Sequence, residues 1–181
     1  MTRAATTLAI GAWGLLLSLH GCSKSIPEPG QNGHNVRMRV DRVAIDAHNV
    51  PVVVLEEEDG LRVLPIWIGS AEARSIALEI EERSSPRPNT HDLTSAVIER
   101  LDGQVVQVVV TDLREGTYYA TLTLRSHGSL VELDSRPSDG IAIALRTGAP
   151  IYVRESLLES THETPEDERE SPEEEEPGHS I

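Results

Sequence analysis

The twenty residues from Asp134 to Val153 constrain the fold more than any other stretch of this 181-residue chain. Pro137 suits the first turn of a helix, where its missing N–H costs nothing. The apolar run 141–145 covers every face of that helix, so the helix is predicted to be buried on all sides. Gly148 can adopt the left-handed conformation that ends a helix, and Pro150 prevents continuation. A new strand follows at once.

Polar residues gather where this helix begins. They are Asp134, Arg136, Ser138 and Asp139. Ser138 and Asp139 can satisfy the free N–H groups of the first turn, and the positive end of a helix favours anions. We therefore predict a functional site at the entrance of this helix.

The rest of the pattern predicts an α+β domain. Three strands come first, then two helices, three more strands, the buried helix and a last strand, which indicates a single domain with a mixed, largely antiparallel sheet and three helices packed on it. Pro65 inside the third strand favours an edge position or a bulge. The predicted strands are 36–46, 51–55, 61–68, 104–112, 117–125, 130–134 and 151–153.

The two middle helices have recognisable starts and apolar stripes. Ser70 is the predicted cap of the first, whose stripe is Ala73, Ile76, Ala77 and Ile80. Thr90 is the predicted cap of the second, with Gly103 closing it. The stripe of the second helix is Leu93, Val97 and Leu101.

The N-terminus has the layout of an export signal. Arg3 precedes the apolar run 4–19, and Leu19-His-Gly-Cys22 resembles the lipobox of bacterial lipoproteins, although His20 replaces the usual small residue. The resemblance implies a signal peptide at 1–22, lipid attachment at Cys22, and a membrane contact through that anchor only. Ser23 then favours the outer membrane, so we expect an exported lipoprotein of the cell envelope. The alternative is an ordinary signal peptide with a coincidental Cys.

The segments on either side of the domain have no core pattern. Residues 23–35 are rich in Pro and Gly and are predicted to be a flexible tether. A folded domain is predicted for 36–159, and a disordered acidic tail for 160–181. Residues 163–181 hold nine acidic residues and one Arg, a net charge of −8 out of −14, which leaves −6 for the remainder.

Composition excludes several classes of protein. A mildly acidic body lacks the basic face of a tight nucleic-acid binder. With no Phe, three Tyr and two Trp, one of which lies in the signal segment, a base-stacking platform is not expected. A single Cys excludes an intramolecular disulfide.

Four motifs occur in order along the predicted domain. They are LPIWIGSAEA (64–73), RPNTHDL (87–93), VTDLREGTYY (110–119), and SRPSD (135–139) with RTGAPIY (146–152). Together they resemble the bifunctional nuclease family, over residues 36–159. Gly140 stands where that family usually has Ala, and the leader and acidic tail are additions.

The resemblance implies an α+β domain that forms homodimers and hydrolyses DNA and RNA. Phosphodiester hydrolysis needs an activated water, charge stabilisation on phosphate and usually Mg²⁺ or Mn²⁺ held by carboxylates. His91 is the candidate general base, and Arg136 is the candidate for neutralising developing charge. Asp134 and Asp139, with Glu72, are the candidate metal ligands, and Asp92 and Ser138 complete the predicted catalytic set. Further candidates are Asp112, Arg74 and Arg114.

Each candidate also has a structural explanation. Glu72, Asp92 and Asp139 each lie in a first helical turn, where the helix dipole favours acids. Asp134 and Arg136 could form an ion pair between strand and helix, and His91 could be a surface or interface residue. Asp112 could accept backbone N–H groups in a turn. No HExxH, HNH or Asp-x-Asp spacing occurs, so the sequence does not specify a metal site.

Two functions therefore stay open. The first is a lipid-tethered nuclease acting on DNA or RNA. The second is a non-catalytic dimeric envelope module that recognises a partner or a small anionic ligand at the Arg136 helix entrance. The acidic charge fits the second better, since it repels phosphate.

Overall fold

A computed structural model describes residues 35–160, which form one seven-stranded sheet and four helices. The predictions made for the signal segment, for nearly all of the tether and for the acidic tail lie outside these residues. Within them no helix is long and apolar enough to cross a membrane. The elements are β1 Asn35–Ile45, β2 Pro51–Glu57, β3 Val63–Trp67, α1 Ser70–Ile80, α2 Thr90–Arg100, β4 Gly103–Arg114, β5 Thr117–Ser126, β6 Ser129–Ser135, α3 Pro137–Thr147, β7 Ile151–Arg154 and α4 Glu155–Ser160.

The sheet has the strand order β3-β2-β1-β7-β4-β5-β6. Only β4 and β7 run parallel, and every other neighbouring pair is antiparallel. The prediction of an α+β domain with a mixed, largely antiparallel sheet is confirmed. β3 is an edge strand, so the missing N–H of Pro65 does not interrupt hydrogen bonding in the interior of the sheet. The three predicted helices correspond to α1, α2 and α3, and a short fourth helix, α4, follows β7 directly.

α3 is the centre of the helical layer, because it contacts α1, α2, β4 and β5. Residues 141–144 are buried, and Gly148 ends the helix with φ of 67°. The prediction of an enclosed helix is therefore confirmed. The predicted caps are wrong: Arg136 is the N-cap residue, and no side chain caps the helix. Ser138 and Asp139 are thus left for other contacts.

The first turn of α3 lies close against β4. An added Cβ at Gly140 would lie 2.8 Å from Cγ1 of Val108, a fully buried side chain, and 3.5 Å from Oγ of Ser135. This contact explains why a glycine is useful at a position where helix propensity would favour alanine.

The helix starts of α1 and α2 also differ from the prediction. Gly69, and not Ser70, is the N-cap residue of α1. Asn89, and not Thr90, caps α2, with its side chain accepting from the backbone of His91 and Asp92. The Asp92 carboxylate accepts the Asn89 N–H in return, which completes a capping box.

The apolar stripe of α2 is exposed. Leu93, Val97 and Leu101 all face solvent, and His91 is the buried residue of this helix. The left-handed residue that follows α2 is Asp102, with φ of 55°, and not Gly103. The side of α2 that packs on α3 therefore carries polar residues, whose contacts are described below.

Candidate functional site

Arg136 lies at the entrance of α3 and is held by two carboxylates. Its Nη2 donates to Oε1 of Glu72 at 2.7 Å, which joins α1 to α3. Its Nε and Nη2 donate to Oδ2 and Oδ1 of Asp139 at 2.7 and 2.9 Å. This forked contact fixes both the guanidinium and the Asp139 carboxylate in one plane.

Asp139 in turn contacts a buried histidine on α2. Nε2 of His91 lies 3.2 Å from Oδ1 of Asp139. The His91 side chain is 11% exposed, and that of Asp139 is 30% exposed. The interpretation of His91 as a surface residue is therefore wrong, and the carboxylate is the member of the pair that reaches solvent.

The hydrogen bonds behind His91 assign its tautomer when the ring is neutral. Nδ1 lies 2.9 Å from Oγ of Ser75, and Nη2 of Arg146 donates to the same Oγ at 3.0 Å. Because a guanidinium only donates, the Ser75 hydroxyl can give its own proton to Nδ1. Because the ionised carboxylate of Asp139 can only accept, the ring proton resides on Nε2 and is donated to Asp139.

Arg146 ends the chain of contacts at the other end of α3. Its Nε donates to Oδ1 of Asp92 at 2.6 Å, and its remaining donors reach the carbonyl oxygens of Ala142 and Ser75. Glu79 lies 3.9 Å away. One polar network therefore runs from Glu72 through Arg136, Asp139, His91, Ser75 and Arg146 to Asp92.

The charges of the network fix the protonation of its acids. Burial raises the pKa of Asp139, but hydrogen bonds from Arg136 and His91 outweigh it and leave that pKa below its ordinary value. Burial likewise raises the pKa of Asp92, and the Asn89 N–H with Arg146 brings it below its ordinary value. The hydrogen bond to Asp139 raises the pKa of Arg136. Both acids are therefore carboxylates at neutral pH.

The structure brings together four of the predicted residues: His91, Arg136, Asp139 and Glu72. Asp92 belongs to the same network, but at its far end and beside Arg146. Ser138 is buried next to Arg136, and its side chain forms no hydrogen bond with the residues of the network.

Asp134 is separated from this group by the register of the sheet. Ser135 pairs with Ala120, whose side chain faces the helices, and Asp134 pairs with Thr121. Because neighbouring residues of a strand point to opposite faces, Asp134 points away from α3. The hypothesis of an Asp134–Arg136 ion pair is wrong, since Arg136 pairs with Asp139 and Glu72.

The other candidates lie elsewhere. Arg114 bonds Asp112 at 2.7 Å and covers the ring of Tyr119, so this pair belongs to the β4–β5 hairpin. Asp112 accepts the N–H of Leu113, as expected, although it lies within β4 rather than in a turn. Arg74 forms no ion pair with any residue from 35 to 160.

A divalent metal does not fit these residues. In the part of the chain that the structure describes, no group of three or more His, Cys, Asp or Glu side chains could hold a metal ion. Arg136 already donates hydrogen bonds to the carboxylates of Glu72 and Asp139, so its guanidinium lies between these two predicted metal ligands. We derive no catalytic step through a metal.

Sequence reasoning missed Ser75, Arg146 and the Asn89 cap. Ser75 interrupts the apolar side of α1 between Ala73 and Ile76, and Arg146 ends an otherwise apolar helix. When each of two apolar helix faces contains one polar residue, the two polar residues are expected to contact each other, because a buried polar group requires a partner.

Comparison with known proteins identifies the family. The profile described as "Bifunctional nuclease domain" matches residues 53–166, more than half of the chain. The chain belongs to this family. The resemblance given by the four motifs is therefore confirmed.

The relatives span bacteria and plants. An uncharacterized protein of Mycobacterium tuberculosis is 48% identical over 110 residues, which is 61% of this chain and 65% of that protein. "Bifunctional nuclease 1" of Arabidopsis thaliana is 29% identical over 147 residues, 72% of this chain and 45% of the relative. "Bifunctional nuclease 1" of Oryza sativa subsp. japonica is 27% identical over 135 residues, 70% of this chain and 41% of the relative. The chain thus spans less than two thirds of each of these relatives.

Proposed function

We propose that this domain hydrolyses phosphodiester bonds of DNA or RNA at the entrance of α3, with Arg136 binding phosphate and Asp139 orienting the attacking water. Membership of the family supports the reaction class. The single structural observation behind it is the Arg136–Asp139 pair, which is open to solvent in front and fixed behind by His91.

Arg136 has donors left for a substrate. No hydrogen bond within residues 35–160 uses its Nη1, and the side chain is 65% exposed. Two N–H groups can therefore reach a non-bridging phosphate oxygen without breaking the contacts to Glu72 and Asp139. The planar guanidinium suits phosphate, and it balances the charge that develops in the transition state.

Asp139 has an acceptor position left for water. Its Oδ1 accepts from Arg136 and His91, whereas its Oδ2 accepts only from Nε of Arg136. A water on Oδ2 can attack phosphorus as Asp139 takes its proton. The bond from phosphorus to the leaving sugar oxygen breaks, and that oxygen takes a proton from solvent. The lowered pKa makes Asp139 a weak base, so orientation is its larger contribution.

His91 is not the general base that the sequence predicts. Both ring nitrogens are engaged, Nδ1 with Ser75 and Nε2 with Asp139, and the ring is nearly enclosed. His91 therefore acts as a positioning residue that fixes the carboxylate and not as the base that meets water.

The competing function is a non-catalytic module that binds an anion at Arg136. One observation favours it: every carboxylate of the site is already paired with a cation or a ring N–H. In that case Arg136 would bind a phosphate or carboxylate without any bond being broken.

A cleavage assay separates the two functions. The full chain is incubated with single-stranded DNA and RNA, in Mg²⁺, in Mn²⁺ and in a chelator. We expect Asp139→Asn to lower the rate at least about 100-fold, because removing one charged group of such a site costs several kcal/mol. Asp134→Asn, which changes an acid on the opposite sheet face, serves as the matched control and retains the rate.

Circular dichroism and the melting temperature show that both variants are folded. Equal cleavage by the wild type and both variants indicates a contaminating nuclease and favours the binding module. Activity that disappears only in the chelator would instead overturn the metal-free arrangement described above.

We also propose that the chain forms the homodimer that the family resemblance implies, and that the second copy covers the exposed stripe of α2. Leu93, Val97 and Leu101 form one apolar face on that helix. Sedimentation should give a dimer for the wild type, and Leu93→Asp with Val97→Asp should give a monomer. A wild type that sediments as a monomer contradicts this.

Attachment to the envelope membrane through Cys22 is proposed on the sequence alone. In a bacterial host, Cys22→Ser should release the processed protein from the membrane fraction. A variant that stays fully membrane-bound after processing contradicts the anchor.

A further inference from the structure

The two edges of the sheet are protected to different degrees. β3 forms one edge with five residues, and Pro65 in its middle has no N–H to donate to another strand. β6 forms the other edge with seven residues, Ser129–Ser135, and contains no proline. Its pairing with β5 is free of register shifts, unlike the β4–β5 pairing. Within residues 35–160, the β6 edge (residues 129–135) is therefore a regular strand whose outward N–H and C=O groups can pair with a further strand.

Apolar side chains are exposed along the β6 edge. Leu130, Val131 and Leu133 are 46%, 42% and 42% exposed. Leu122 and Leu124 of β5 face the helical layer. Val131 and Leu133 pair with them and therefore lie on the same face. Water is an unfavourable environment for these side chains, and a strand added at this edge would cover part of them.

The other face of the same strand carries two acids. Glu132 pairs with Thr123 and Asp134 pairs with Thr121, so both carboxylates lie on the face away from the helices. Neither carboxylate forms an ion pair or a hydrogen bond with a residue from 35 to 160. Because the two acids are two positions apart, they define two neighbouring places where an added strand would carry cations.

The same sheet already contains the pairing that such acids favour. In β1, Arg37 and Arg39 lie on the face away from the helices, and Met38 between them is buried in the core. Arg37 pairs with Glu58 at 2.9 Å, and Arg39 pairs with Glu56, an acid two positions earlier. A strand of alternating basic and apolar residues therefore matches a neighbour that presents two acids on one face.

A second copy of the chain is a poor partner for this edge. Two β6 strands paired antiparallel about Glu132 or Leu133 would place acids directly opposite acids, which is destabilising. A basic segment meets no such repulsion. The net charge of −14 also attracts such a segment toward the protein.

We propose that the β6 edge binds an extended segment of another protein in which basic and apolar residues alternate. The segment adds one strand to the sheet through backbone hydrogen bonds. Two Lys or Arg side chains lie beside Glu132 and Asp134, and the apolar residues around them cover Val131 and Leu133. The inference goes beyond the proposed function and does not depend on it, because no residue of the β6 edge belongs to the polar network at α3.

Fluorescence anisotropy with the full chain tests the inference. The first probe is a fluorescein-labelled peptide of sequence TVRVRVT, and the second, TVEVEVT, has acids in place of the basic residues. We expect the wild type to bind the first probe about tenfold more tightly than the second, because opposite charges face each other in one complex and like charges in the other. The Glu132→Arg, Asp134→Arg double variant should reverse this preference.

A matched variant and a third probe separate strand addition from attraction by charge alone. Glu82→Arg with Glu99→Arg makes the same change of charge at two exposed positions outside β6, and should keep the preference of the wild type. The third probe has the side chains of the first and methylated backbone nitrogens. It cannot add as a strand and should not bind. Circular dichroism shows that both double variants are folded.

Hydrogen exchange locates the bound peptide. The first probe should slow exchange of amides in residues 129–135, because they become paired or covered. Exchange at the opposite edge, residues 63–67, should stay unchanged.

Equal affinity of the wild type for the first two probes overturns the inference, as does an unchanged preference in the Glu132→Arg, Asp134→Arg variant. Binding of the methylated probe as tight as that of the first would show that charge alone is responsible. Protection of residues 129–135 that grows with protein concentration in the absence of peptide would place a second copy on this edge and would also overturn the inference.

Discussion

The two ends of α3 present the same chemistry in different surroundings. At the start, Arg136 contacts Asp139 and Glu72. At the end, Arg146 contacts Asp92, with Glu79 nearby. The side chain of Arg136 is 65% exposed, and its Nη1 has no hydrogen bond to the part of the chain that the structure describes. The side chain of Arg146 is 7% exposed and uses all three of its nitrogens. An enclosed arginine between carboxylates therefore connects elements of the fold, whereas an exposed one keeps donors that are available to a ligand.

The largest expected effect breaks the enclosed end. Arg146→Ala should lower the free energy of unfolding by about 3 kcal/mol, because it leaves Asp92 and Ser75 without a buried partner. Arg136→Ala, the matched change at the open end, should lower it by less than about 1 kcal/mol, as is usual for exposed pairs. Urea unfolding measures both. Equal losses would contradict the division of roles between the two ends.

A smaller effect is expected where the first turn of α3 packs against β4. Gly140→Ala should lower the free energy of unfolding by about 1 kcal/mol, because overpacking against Val108 outweighs the gain in helix propensity. The same change made in a Val108→Ala background should cost less, since the space is then available. An equal cost in both backgrounds would show that the close approach does not matter.

The smallest effect is the pH dependence of the two ends. The pKa values of Asp92 and Asp139 are lowered in the folded chain, so their contribution is present above their ordinary values and is lost as the pH falls through the lowered ones. The melting temperature should therefore decrease when the pH is lowered below about 4. In the Asp92→Asn, Asp139→Asn double variant this decline should be shallower. An unchanged slope would mean that other carboxylates determine it.

The sequence predicted what depends on neighbouring residues. The period of the apolar residues and the turn residues predict α3, its end at Gly148 and the alternating strands. Arg136 contacts Asp139 because the two residues are three positions apart at the start of a helix. The needs of phosphodiester hydrolysis added His91 to the candidates as a general base.

The sequence could not predict what depends on register and packing. A period shows that Leu93, Val97 and Leu101 share a face of α2, but not that the buried face would be the one holding His91. Asp134 was assigned to the site because it is close in sequence, yet the pairing with Thr121 turns it away. The Ser75–Arg146 contact joins residues 71 positions apart and required the packed helices.

The position of β7 has a consequence for how the domain is synthesised. Its four residues form the last strand within residues 35–160, yet they separate β1 from β4 in the middle of the sheet. The sub-sheets β3-β2-β1 and β4-β5-β6 have no hydrogen-bonded contact with each other until those four residues leave the ribosome. A message truncated just before Ile151 would thus yield two antiparallel meanders joined only through the helices, with exposed inner strand edges that are prone to aggregation.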